Sequence, residues 1–142
     1  MHAPYPRQLA MVAHDGRKAQ LRQFALEHAE TLRRWPIVAT RSSARLLRDV
    51  HLDAEAVASG PLGGDAQLAA RIAEGKLQAV IFFRDPNAAH PHEHDVQALL
   101  RMCDVYDVPL ATNPASAQLL IAGLQGDAAG ARGADARALR AL

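Results

Sequence analysis

Ala79-Val80-Ile81-Phe82-Phe83, followed at once by Arg84-Asp85-Pro86, is an unbroken apolar run that stops at a polar, proline-bearing turn. It has the length of a strand and no polar face. A strand that is apolar on both sides needs cover on both, the condition of a parallel sheet held between layers of helix. Working upstream, Leu9-Ala-Met-Val-Ala13 ends at His14-Asp15-Gly16, Ile37-Val-Ala39 ends at Thr40-Arg-Ser-Ser43, and Glu55 to Ala58 leads into Ser59-Gly-Pro-Leu-Gly-Gly-Asp65. Downstream, Val108-Pro-Leu-Ala111 ends at Thr112-Asn113.

Helical spacing fills the intervals. Leu21, Phe24, Ala25, His28 and Leu32 share a face before Trp35-Pro36, and Leu46, Leu47 and Val50 form a shorter one. Leu68, Ile72 and Leu77 follow Asp65; Val96, Leu99, Leu100, Cys103 and Tyr106 follow the proline-rich loop; Ala115 to Ala122 is the last helix. Five strands alternating with five helices predict a three-layer, doubly wound α/β fold on a five-stranded parallel sheet. Right-handed crossovers bring the carboxyl end of every strand to one edge, so the polar turns just quoted converge on one rim, where such sheets bind ligands.

At 142 residues the chain reads as one domain, with a core over about 8–123 and a tail over 124–142 that is either a loose end or a helix from about Asp135. A net charge of +1 from 16 basic and 15 acidic residues, with 4% aromatics, argues against a nucleic-acid partner. No apolar run approaches a membrane span, and the start, with Pro4 and Pro6, lacks the layout of a secretion signal. A cytoplasmic protein is expected. Cys103 is the single cysteine and lies on a core stripe, so a buried structural thiol is the default.

Three features of the rim carry chemistry. Gly60, Gly63 and Gly64 permit close approach of the main chain to a ligand, and Asp65 beside them is either a helix cap or a functional acid/base. Thr40, Ser42 and Ser43 present hydroxyls at a strand-to-helix junction, a seat for phosphate, with Lys18 and Arg41 as cations in reach. His92 and Asp95, three apart at a helix start, are placed to share a hydrogen bond that sets an imidazole for acid–base work. His90, His92 and His94 alternate, but zinc spacing such as H-E-x-x-H is absent and no metal or other cofactor is expected. His2, His28 and His51 are assigned no role.

With these residues in place, the chain resembles the methylglyoxal synthase family from Leu9 to about Leu120. The segments that carry the likeness are V-A-H-D-x-x-K at Val12 to Lys18, S-G-P-L-G-G-D at Ser59 to Asp65, F-F-R-D-P at Phe82 to Pro86, P-H-E-x-D-V at Pro91 to Val96 and A-T-N at Ala111 to Asn113. The resemblance implies a homohexameric lyase that converts dihydroxyacetone phosphate to methylglyoxal and inorganic phosphate. It implies Asp65 as catalytic base, His92 as the residue that handles substrate oxygens with Asp95 and His14 nearby, and phosphate held by Lys18, Thr40, Ser42, Ser43, Ser59 and Gly60.

The family's phosphate loop reads T-G-T-T-G, where this chain has Thr40-Arg-Ser-Ser-Ala44. Arg41 and Ala44 in place of glycines are expected to stiffen the backbone and add bulk beside the anion, altering its affinity. Two other functions compete: a non-catalytic module that binds a phosphorylated effector, like the regulatory domain of carbamoyl-phosphate synthetase, and a metal hydrolase built on the histidines.

Overall fold

The computed structural model describes residues 7–125. The expectations for the leader with Pro4 and Pro6, for His2 and for the tail beyond residue 125 lie outside the described residues. The sheet has five parallel strands in the order β3-β2-β1-β4-β5: β1 (Gln8–Ala13), β2 (Ile37–Ala39), β3 (Ala54–Ala56), β4 (Leu77–Phe83) and β5 (Leu110–Ala111). Helices α1 (Lys18–Glu27), α2 (Ala29–Leu32), α3 (Arg41–Asp49) and α6 (Pro114–Gln125) cover one face; α4 (Gly64–Ala73) and α5 (Glu93–Val105) cover the other.

The alternation of strand side chains builds two cores. Leu9, Met11, Ile81 and Phe83 point to the first face with Leu21, Phe24 and Leu47, while Ala10, Val12, Val80 and Phe82 point to the second with Leu68, Ile72 and Leu99. Both faces of β1 and β4 are buried, as their unbroken apolar runs require. Cys103 belongs to the second core, where burial pushes its thiol up to about 12.

Element ends differ from the sequence reading for identifiable reasons. The helix expected over 21–32 divides at His28, whose backbone leaves the helical region. Leu77 is the first residue of β4 and not the last of a helix, because Gly75 at φ +75° closes α4 in a left-handed turn. The third strand ends at Ala56: Val57 N–H makes a last bond to the Ala39 carbonyl, and Ala58 N–H is taken by the Gln67 side chain at 2.8 Å. Pro109 has no N–H to give, so β5 begins at Leu110. Tyr106 lies past the end of α5 and is 46% exposed, off the core stripe assigned to it.

The loop after β3 is shaped by its glycines. Gly63, at φ +102°, turns the chain into α4, and a Cβ on Gly64 would collide with the carbonyl of Ala58 and the Thr40 methyl. Only a residue without a side chain lets α4 start this close to the sheet.

Candidate active site

Between β1 and β4 the strand order reverses, and at their carboxyl ends lies a cavity of about 200 Å³. Crevices at such switch points are the ligand sites of open α/β sheets. The volume is below the roughly 300–1,000 Å³ of drug-sized pockets. That volume matches a molecule of a few carbons better than a nucleotide.

Four of the five polar turns meet there. His14, Asp15 and Lys18 come from beyond β1, Thr40 and Ser42 from beyond β2, Gly60, Pro61 and Asp65 from beyond β3, and His90, Pro91 and His92 from beyond β4. The fifth turn does not line the cavity. Asn113 instead accepts the Ser116 N–H at 2.9 Å and caps α6.

Asp65 is the second residue of α4, 1% exposed, and caps nothing. Neither carboxylate oxygen has a protein hydrogen bond, and Oδ2 lies 3.3 Å from His92 Nε2. Burial raises its pKa above the usual carboxylate value, aided by Asp95 and Glu93 and opposed by His92. A buried carboxylate that faces a cavity, without a hydrogen bond and with only the His92 ring beside it, is placed to accept a proton. Gly60 makes the pairing possible, since a Cβ there would stand 2.9 Å from His92 Nε2 and 3.3 Å from Asp65 Oδ2.

His92, at the start of α5, does not form the expected side-chain bond to Asp95. Its Nδ1 has no partner and its Nε2 faces Asp65; the two residues three apart are joined only by the Asp95 N–H to the His92 carbonyl, at 3.0 Å. The acid beside the His92 ring is instead Asp65, distant in sequence.

His14 Nδ1 accepts the Asp85 N–H at 2.9 Å, which leaves the ring proton on Nε2, a buried atom with no protein partner. Burial first, then the neighbouring His90 and His92, lower its pKa to about 4. His14 is thus a neutral N–H donor near neutral pH. Lys18 donates to the Ala13 carbonyl and stands 3.6 Å from Asp15 Oδ1; burial lowers its pKa, with Asp15 and Asp65 acting against that.

The hydroxyl-bearing turn divides between residues that line the cavity and one that serves packing. The first helical bond of α3 runs from Ala44 N–H to the Thr40 carbonyl, leaving the earlier N–H groups as first-turn donors, the usual anion-binding feature. Thr40 and Ser42 line the cavity. Ser43 is fully buried, its Oγ accepting the Ala13 N–H at 3.1 Å and lying 3.4 Å from Thr40 Oγ1, so its hydroxyl ties α3 to β1. Ser59 adjoins the cavity without lining it.

Arg41 lines a separate surface cavity with Arg45 and Arg48, and Ala44 packs into the first core. The two departures from the family loop therefore turn away from the cavity and add no bulk to it. His90, which the sequence reading left without a role, stacks on His14 inside the cavity; its only signal was its place two residues before His92. Among the described residues no cluster of histidine, cysteine and carboxylate groups is arranged to hold a metal ion.

Comparison with known proteins places this arrangement in a class. The MGS-like domain family matches residues 20–112, and the chain is an α/β domain of that class. It is 51% identical over 118 residues to methylglyoxal synthase of Thermus thermophilus, spanning 82% of this chain and 94% of that one. It is 48% identical over 122 residues to the Cupriavidus taiwanensis methylglyoxal synthase, spanning 85% and 91%. The solved methylglyoxal synthase of Elizabethkingia anophelis superimposes with a TM-score of 0.76 at 38% identity, over 82% of this chain and 77% of that one. The chain belongs to the methylglyoxal synthase family.

Proposed function

We propose that this chain is a lyase that converts dihydroxyacetone phosphate to methylglyoxal and inorganic phosphate. The observation that carries the reading is the buried Asp65 carboxylate, without hydrogen bonds and facing a triose-sized cavity that the neutral imidazole of His14 also lines. Asp65 takes a proton from the hydroxymethyl carbon next to the ketone. The C–H electron pair becomes the new C=C bond, and negative charge passes to the carbonyl oxygen. His14 Nε2–H and His92 meet the two oxygens of this ene-diolate, and aimed donors of this kind are worth about 3–4 kcal/mol each. A carboxylate base beside a neutral histidine is also the pairing of triosephosphate isomerase.

From that intermediate the hydroxyl on the deprotonated carbon gives its proton to a neighbouring base, its O–H pair becomes the aldehyde C=O, the C=C pair shifts toward the carbon that bears the phosphate, and phosphate leaves with the C–O pair, provided that bond stands perpendicular to the ene-diolate plane. The enolate of methylglyoxal remains and takes up a proton at its terminal carbon. Thr40, Ser42, the first-turn N–H groups of α3, Gly60 and Lys18 hold the phosphate, and so choose elimination as well as affinity. Ser43 and Ser59 support that seat from behind, and Asp95 acts through its charge, which raises the proton affinity of Asp65. No step calls on a cofactor or metal. Arg41, turned to another cavity, is left at most a long-range electrostatic part.

The working form in this reading is a homohexamer in the cytoplasm, with no nucleic-acid or membrane partner. Leu62 and Leu119, 80% and 78% exposed, are apolar surface that an assembly would cover. Among the described residues no helix is long and apolar enough to cross a membrane. Incubation with dihydroxyacetone phosphate tests the reaction: methylglyoxal and phosphate should appear in equal amounts and resist chelator. Binding of the substrate with no product would instead favour a regulatory module. Sedimentation should give a mass near six times 15.3 kDa.

A further inference from the structure

His14 has three close partners. Its Nδ1 is fixed by the Asp85 N–H at 2.9 Å, Phe82 packs against it in a T-shaped contact with ring centroids 5.0 Å apart, and His90 stacks on one face with centroids at 3.8 Å and planes only 23° apart. His92 stands 5.9 Å from His14 and 5.6 Å from His90, both edge-on. The only near-parallel ring among these contacts is His90, and it comes from the loop after β4, not from the turn after β1 that holds His14.

We propose that His90 is the positioning residue for His14: its flat ring closes the open face of the His14 imidazole, excludes water from it and fixes the direction in which Nε2–H enters the cavity. This rests on the catalytic reading above and deepens it, since a donor to an ene-diolate acts only while its proton points at the developing charge. A flat ring suits the gap because offset-stacked rings fill a planar space without a void.

The groups that face His14 agree with such a shield. His90, His92 and Arg84 disfavour a charge on it, Glu93 favours one, Asp65 stands behind His92, and Lys18 and Asp15 border the same cavity. Burial is the largest influence and holds His14 at about 4, so removing the cover should release it toward its ordinary 6.5.

The test is an NMR titration of the His14 imidazole in the full chain, in the parent and in His90→Ala and His90→Phe, with kcat and KM for dihydroxyacetone phosphate measured on the same samples. In His90→Ala the His14 midpoint should rise toward 6.5, and kcat should fall about tenfold with KM changed less than about twofold. His90→Phe, which keeps a flat ring without nitrogens, should restore the part of the lowering that comes from burial, leave out the part due to the charge of His90, and recover most of kcat. An unmoved His14 midpoint in His90→Ala overturns the proposal. So does a His90→Phe enzyme as slow as His90→Ala with His14 titrating below its His90→Ala midpoint, because His90 would then act through its own nitrogen. If the parent makes no methylglyoxal, the catalytic reading fails, while the titrations still decide whether His90 shields His14.

Discussion

Replacing Asp65 by Asn keeps the shape of the side chain and removes its ability to take a proton. A positioned base contributes about 10²–10⁴-fold, which at tenfold per 1.36 kcal/mol is roughly 3–5 kcal/mol of barrier. Stability should move the other way. The buried carboxylate has no hydrogen bond to offset its lost hydration, and burial raises its pKa, so the neutral amide should stabilise the fold by about 1 kcal/mol, a gain of roughly 4 °C in melting temperature. The assay is methylglyoxal formation from dihydroxyacetone phosphate at saturating substrate, with phosphate binding by calorimetry and melting by circular dichroism. Turnover at least a hundredfold down, phosphate affinity within about threefold of the parent and an unimpaired melting curve are expected together. A folded variant that retains more than a tenth of parental turnover would refute Asp65 as the base.

Other perturbations separate site from scaffold. Gly60→Ala puts a methyl 2.9 Å from His92 Nε2, and should cost about tenfold in kcat with little change in melting temperature. Gly64→Ala meets backbone at Ala58 and should cost about 1–3 kcal/mol of stability instead. His14 titrates at about 4 when folded and 6.5 when unfolded, so the unfolded chain takes up its proton first as pH falls. Stability should decline between those values by at most about 3 kcal/mol, a loss that His14→Gln removes from the pH profile of melting. Glu55, bound to Arg71 at 2.6 Å and to Gln8, has its pKa lowered to about 2. Its contribution is present above the unfolded value of 4.5 and lost as pH falls toward 2; with 53% exposure it should be worth only about 1 kcal/mol in a Glu55→Gln comparison.

Much of the fold was legible because a strand buried on both faces must be apolar throughout. Leu9–Ala13, Ile37–Ala39 and Ala79–Phe83 declared themselves, and their alternation with helical spacing led to the parallel sheet. The edge strands were less clear. Ala54–Ala56 and Leu110–Ala111 are short and bounded by single backbone events, the Ala58 N–H taken by Gln67 after one and Pro109 without an N–H before the other. Hydrophobic patterning does not report such events.

The candidate site shows the same division. Composition and spacing alone brought Asp65, His14, Thr40 and Ser42 to one rim, since each follows a strand and parallel strands end together. Which side chains touch was settled by the third dimension. His92 meets Asp65, from another loop, and not Asp95 on its own helix; Ser43 turns inward to β1; Arg41 faces a different cavity; and His90 lies flat on His14. Local sequence sets which elements form and where they stop, because those depend on neighbours along the chain. Contacts between loops depend on helix rotation and strand order, quantities set by packing in two cores at once, and they emerge only when the whole chain has folded.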